Sequence, residues 1–405
     1  MTPSRRSSRD RRLRHLPVWL LAGVAVLLCA GCFSFRRSPP RPGRTTLDSR
    51  LVILPATPMA SYLVVETKWD KHGPYHFLID TGASITLISP ELAARYGAKN
   101  APDEQPVIRV RSSQGDMSML SPVTLRRIEL GGAEFENVSA LVYDCTELSA
   151  HFGVKIDGIL GFPLFRETIL TLDYPRSRVL IEPRSSNPLL PGVTIPFNND
   201  RRTPIIPVRI GDQNFVALID SGSDAALSLN PIGLQPAFAI QPRAGVTIAT
   251  LSGDREQRIG RVAKPLYIGD YAVDSPVTDL TEDLSSIGSG ILKNFAVTFD
   301  QEHNRVTFYR DSPLPIPTEP RRSSGLSFSK TPAYWRITSV VPGSPAEAAG
   351  VQRGDLVTRI NGEPVAQWDL RRYEQLVATA PDIAFTFLNG TRETEQHLKV
   401  FVLVP

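Results

Sequence analysis

The chain repeats itself, and that repeat constrains its fold more than any other feature. In the first copy, Tyr75-His76-Phe77-Leu78-Ile79 runs into Asp80-Thr81-Gly82-Ala83-Ser84. In the second, Phe215-Val216-Ala217-Leu218-Ile219 runs into Asp220-Ser221-Gly222-Ser223-Asp224. Each copy then has a polar Gly-Asp turn, Ser113-Gln114-Gly115-Asp116 and Leu251-Ser252-Gly253-Asp254. A second hairpin signal follows, around Leu130-Gly131-Gly132 and Ile268-Gly269-Asp270. Each copy closes on an apolar-glycine element, Leu160-Gly161-Phe162 and Ile287-Gly288-Ser289, and then an apolar strand ending in Asp173 or Asp300. Four landmarks in one order predict two equivalent halves. Short β-branched runs between turn signals, from Leu51 to Arg310, predict that both halves are β.

A single Asp-Thr-Gly or Asp-Ser-Gly is weak by itself, because these residues are common in turns. Here each copy follows a strongly apolar strand and precedes an apolar-glycine element. Over about residues 55–310 the pair resembles the aspartic peptidases, both retropepsin-like and pepsin-like. The resemblance implies a mainly β fold, with two tandem retropepsin-like β-barrel lobes forming a pepsin-like pseudo-dimer within one chain. It makes Asp80 and Asp220 the catalytic dyad. Two carboxylates held close cannot both ionise readily, so they share a proton and titrate as a pair. The ionised partner serves as general base on a water, and the protonated one donates to the substrate carbonyl.

The same resemblance assigns support to the dyad. Thr81 and Ser221 would hydrogen-bond across the lobes, and Gly82 and Gly222 would let each loop approach the other. Gly161 and Gly288 would pack beneath the aspartate loops, with Ser286 a departure in the second copy. Lobe one has Ala83 where lobe two has Ser223. A Ser223 hydroxyl donating to Asp220 would stabilise its charge, so Asp220 is expected to ionise first and Asp80 to hold the proton. A working pH less acidic than that of pepsin is expected with it. Ser84 and Asp224 occupy the place of a substrate-contacting aspartate in retropepsins, and only Asp224 matches. The turns Ser112–Asp116 and Thr250–Asp254, with Gly115 and Gly253, are candidate flaps, although neither carries a pepsin-type tyrosine.

Other chemistries lack their residues. The six histidines are scattered without H-E-x-x-H, no cysteine cluster is present, and no phosphate-cradling glycine loop or G-x-S-x-G appears. No metal and no cofactor is expected. The net charge of +4 is concentrated at the start of the chain. Residues 1–31 hold six arginines against Asp10, and the remainder carries 39 basic and 40 acidic side chains, so nucleic-acid binding is not indicated.

Those first residues have the build of a secretion signal: arginines, then an apolar stretch from Leu16 to Ala30 that is short for a bilayer span. Leu28-Cys29-Ala30-Gly31-Cys32 resembles the lipobox of bacterial lipoproteins, with Cys29 where leucine is usual. The resemblance makes Cys32 the lipidated residue and places the chain in the cell envelope on the periplasmic side. Phe33, not aspartate, follows Cys32, which favours the outer membrane. A plain signal peptide or an uncleaved anchor is the alternative; each also puts the body outside the cytoplasm. Cys145 would then be the one unlipidated cysteine, a buried structural thiol without a disulfide partner.

The expected organisation is a signal segment 1–31, a tether 32–50, lobe one 51–188, lobe two 189–310, a proline-rich linker 311–323 and a C-terminal module 324–405. That module resembles a PDZ domain. Gly325-Leu326-Ser327-Phe328 looks like the loop whose N–H groups receive a peptide carboxylate. Ile337 to Ala346 resembles the bacterial strand-turn-helix, Gly350 to Gly362 the strand pair, and Asp369 to Ala378 the helix beside the groove. Expected partners are protein or peptide substrates, some entering the groove by their C-terminal tails. Packing of the module on the lobes, with no ligand in trans, is the alternative. The leading expectation is a membrane-anchored aspartic endopeptidase that is complete as a monomer. A non-catalytic, peptide-binding envelope scaffold is the second, but a scaffold has no chemical need of two aspartates.

Overall fold

The computed structural model describes residues 43–59, 61–98, 107–111, 117–186, 191–250 and 253–405. The signal segment, Cys32 and the turn containing Gly115 lie outside the described residues. Among the described residues no helix is long and apolar enough to cross a membrane.

The chain is mainly β, with two equivalent β halves followed by a small C-terminal module. In the first half, strand His72–Asp80 pairs antiparallel with Tyr62–Trp69 and parallel with Gly158–Gly161, so that Asp80 lies opposite Gly161. In the second half, Gln213–Asp220 pairs antiparallel with Ile205–Ile210 and parallel with Ser286–Gly288, so that Asp220 lies opposite Gly288. The short strands Thr86–Ile88 and Leu227–Leu229 continue the correspondence. Each lies antiparallel to its glycine strand and parallel to a further one, Ala133–Val142 or Val277–Leu280. The sequence repeat is therefore also a repeat of strand pairing.

Apolar side chains pack the aspartate-bearing strands into the core, on both faces in the first half and on one face in the second. Phe77 and Ile79 are fully buried, and Trp69 stacks on Phe77 with ring centroids 5.0 Å apart. Ala217 and Ile219 are the counterparts in the second half, both at 0% exposure. The halves meet where Thr168–Asp173 pairs antiparallel with Ala296–Asp300. Thr171 and Thr298 face each other there, their hydroxyls 2.8 Å apart. One apolar core runs from Val52 through Phe162 and Ile219 to Phe308, spanning both halves.

Order begins before the expected lobe boundary, because Thr45–Leu47 pairs with Ala133–Phe135. The proline-rich segment is anchored too: Ile316 bridges to Val273 and is buried in the lobe-two core. Its end, Arg321–Ser323, forms a strand with Phe401–Val404. The C-terminal module has its own core of Phe328, Trp335, Ile337, Tyr373 and Phe385. Its helix Leu370–Thr379 starts on Asp369, whose carboxylate accepts from Arg372 N at 2.7 Å, an N-cap.

The module packs on both halves. Leu370 joins Met59, Tyr62, Cys145 and Phe152 of the first half in one buried cluster. Val341, Leu403 and Val404 join Ile259 of the second.

Candidate active site

Asp80 and Asp220 end equivalent strands and face each other across the two halves, the carboxyl of each lying beside the loop glycine of the other. Asp80 Oδ1 accepts from Gly82 N at 2.8 Å and from Ala83 N at 3.1 Å. Asp220 Oδ1 accepts from Gly222 N at 3.0 Å. Burial raises both above the ordinary aspartate range. The two N–H donors offset part of this for Asp80, whereas the charge of Asp80 pushes Asp220 up further. With two backbone donors on its carboxylate against one on Asp220, Asp80 is the better placed of the two to carry the charge of the pair.

These donors favour the opposite order to the one expected from Ala83 and Ser223. The Ser223 hydroxyl accepts from Ala225 N at 3.3 Å. It shapes its own loop, while the donors that decide the charge are backbone N–H groups.

Thr81 and Ser221 lock the loops together. Thr81 Oγ1 donates to Ile219 O at 2.7 Å and accepts from Ser221 N at 3.0 Å. Ser221 Oγ donates to Ile79 O at 2.8 Å and accepts from Thr81 N at 2.9 Å. Gly82 and Gly222 are required by proximity, not by a left-handed backbone. A Cβ on Gly82 would lie 2.6 Å from Asp220 Oδ1, and one on Gly222 would lie 2.3 Å from Asp80 Cγ. Gly161 and Gly288 seat the loops from behind. A Cβ would stand 2.6 Å from Ile85 C in one case and 2.2 Å from Ala225 O in the other.

Residues that the motifs did not announce also reach this site. Tyr62 is buried and is raised well above its usual pKa by burial and by the charges of Asp224, Asp220 and Asp80. The buried Tyr174 phenol feels both dyad carboxylates, and its pKa is raised chiefly by burial. Arg321 places its guanidinium 3.8 Å from the Asp224 carboxylate. Tyr174 directly follows the closing Asp173 of the first copy and could have been found as a neighbour of the repeat. Tyr62 and Arg321 lie far away along the chain and carry no local signal.

The candidate flaps differ. Ile108–Arg111 pairs with Met117–Leu120, and the tip with Gly115 is outside the described residues. Gly253 starts strand Gly253–Val262, which pairs with Phe238–Thr250 in a long hairpin with several register shifts. This hairpin is fastened to the C-terminal module: Arg243 donates to Val402 O at 3.2 Å, and Arg261 Nη2 donates to Glu319 O at 3.1 Å beside it.

In the module, Gly325 has φ +84°, a turn that favours glycine. Gly325 N donates to Ser323 Oγ at 2.9 Å and Leu326 N to Ser324 Oγ at 3.2 Å. Ser324 Oγ is in turn 2.7 Å from Tyr373 OH on the groove helix. These two N–H groups are thus engaged within the chain, where an open carboxylate-binding loop was expected. Ser327 and Phe328 continue into strand Leu326–Lys330, with the Phe328 ring 5.4 Å from that of Tyr373.

The family model described as aspartyl protease matches residues 65–164, and the PDZ domain model matches residues 336–386. A search of curated proteins gives no match. Among solved structures, a PDZ domain protein from Parabacteroides distasonis is 24% identical, covering 20% of this chain and 20% of that one, with a TM-score of 0.19. The chain thus spans about a fifth of that protein. The HtrA3 PDZ domain bound to a phage-derived ligand is 19% identical over 21% of this chain and 89% of its own, also with a TM-score of 0.19. The aspartyl protease match includes Asp80 and Gly161, and the PDZ match includes the helix beside the groove; the chain is thus similar to aspartyl proteases over part of its first half and to PDZ domains over part of its C-terminal module.

Proposed function

We propose that this protein is an aspartic endopeptidase in which one chain supplies both halves of the dyad. The observation that carries the reading is that Asp80 and Asp220 end equivalent strands and meet across the two loops, the carboxyl of each lying against the loop glycine of the other, where burial raises both above the ordinary aspartate range. With Asp80 charged and Asp220 protonated, Asp80 takes a proton from water as the oxygen attacks the scissile carbonyl, and Asp220 gives its proton to the carbonyl oxygen. Collapse breaks the C–N bond: the amine leaves with the proton from Asp80, and a hydroxyl of the tetrahedral carbon returns one to Asp220. The cross-lobe bonds of Thr81 and Ser221 keep the carboxyls at the spacing this exchange needs.

The PDZ module would dock or gate protein substrates, and a lipid on Cys32 would hold the enzyme on the periplasmic side of the envelope, with the outer membrane favoured. The test of the peptidase reading is cleavage of a peptide library by wild type, Asp80→Asn and Asp220→Asn. Loss of cleavage in both variants is the expected result. Normal cutting by both would overturn the reading.

A further inference from the structure

We propose that the C-terminal module is a clasp that closes the cleft, with Arg321 pairing Asp224 and Lys330 holding the end of a first-half helix. Its effect on cleavage rests on the peptidase reading above, but the clasp itself does not.

Three contacts carry the inference. First, Arg321 stands 3.8 Å from the carboxylate of Asp224, four residues past Asp220 on the same loop. Asp224 is also the carboxylate whose charge, after burial, does most to raise the pKa of the buried Tyr62 phenol. An extended chain reaching the dyad past this corner has to displace the arginine.

Second, Lys330 is only 6% exposed, and its ammonium donates to the carbonyl of His151 in the last turn of helix Thr146–Phe152. A buried charge is tolerated only where it is paired, and a helix C-terminus favours a cation. Its charge is therefore committed to a contact between the module and the first half.

Third, that helix touches both strand Leu326–Lys330 and helix Leu370–Thr379, the two walls of the groove. Gly153 allows the approach: a Cβ there would lie 3.2 Å from Asp369 Cα and 3.4 Å from Lys330 Cδ. Phe152 continues the path to the site, its ring 5.1 Å from that of Tyr62.

The groove walls and the Asp224 corner are thus held by contacts of the same module. A peptide added along Leu326–Lys330 contends with the first-half helix for the same walls. A ligand that prefers the open arrangement shifts the population by its difference in affinity for the two states.

The test uses the full chain as wild type, Arg321→Gln and Lys330→Met, and has two readouts. Amide hydrogen exchange over residues 146–152 and 326–330 should quicken about tenfold in each variant, an ordinary coupling between sites. Exchange in strand His72–Asp80 should stay unchanged, which shows that the fold is intact. Cleavage of fluorescein-labelled casein should rise by a similar factor. Unchanged exchange in both segments of both variants would overturn the clasp. So would faster exchange with unchanged cleavage where the wild type cuts casein. Faster exchange with no cleavage by any of the three proteins keeps the clasp and sinks the peptidase reading.

Discussion

Thr81 and Ser221 exchange four hydrogen bonds across the two halves, each hydroxyl accepting from the other residue's N–H and donating to a carbonyl of the opposite strand. Both residues are essentially inaccessible, at 0% and 1% exposure. Thr81→Val keeps the shape but orphans Ser221 N and Ile219 O in a dry interface. Each buried group left unpaired costs about 1–3 kcal/mol, so the variant should lose about 2–5 kcal/mol in urea unfolding. Ser221→Ala should lose a similar amount by the symmetric argument. A loss below about 0.5 kcal/mol in both, the level of an exposed substitution, would contradict the lock.

Gly222→Ala tests the approach of the loops. The new methyl would fall 2.3 Å from Asp80 Cγ, far inside van der Waals contact, so the group that must give way is the Asp80 carboxyl itself. The dyad must spread, and a displacement near 1 Å can cost about 100-fold in rate. Cleavage should therefore drop by about 100-fold or more. Gly82→Ala, whose methyl would meet Asp220 Oδ1 at 2.6 Å, should do the same. Activity within a factor of about three of wild type, a change under 1 kcal/mol, would show that the loops are further apart than described.

Much of this was legible in the sequence because it is local. An apolar strand, an Asp-Thr-Gly or Asp-Ser-Gly turn and a distant apolar-glycine element are short patterns. The pairings of Asp80 with Gly161 and Asp220 with Gly288 follow from repeating them. The Ser223 hydroxyl was legible as a residue type, but not its orientation toward Ala225 N. A hydroxyl can rotate to any acceptor or donor nearby, and the backbone conformation selects among them. Arg321, Lys330 and Tyr62 were silent because their partners come from other domains or distant strands. Docking two domains is decided by surface complementarity, which has no period along the chain.

The unequal environments of the two aspartates predict a bell-shaped pH profile of kcat/KM. The acid limb reports protonation of Asp80 and the alkaline limb loss of the proton on Asp220. Because burial raises both, each limb should lie above the range of an exposed aspartate, the alkaline one further. Ser223→Ala should leave the acid limb in place, because that hydroxyl serves Ala225 and not the carboxylate. If the acid limb rises in Ser223→Ala, the hydroxyl stabilises a charged aspartate after all, and the assignment of the proton must be reversed.

Asp220→Asn should stabilise the fold while abolishing cleavage. Burial and the neighbouring Asp80 charge raise the Asp220 pKa in the folded state, so the native protein binds its proton more tightly than the unfolded chain does. The stability tied to that proton is fully present below the unfolded aspartate pKa of about 3.9 and is lost as pH rises through the folded value. Asparagine does not titrate and presents no charge to Asp80. The variant should therefore match wild type near pH 4 and exceed it at neutral pH by about 1 kcal/mol or more, a usual gain when functional strain is removed. Urea unfolding at the two pH values measures this directly. An equal difference between the proteins at both would mean that the Asp220 pKa is not raised in the folded state. The general acid would then have to be sought on Asp80.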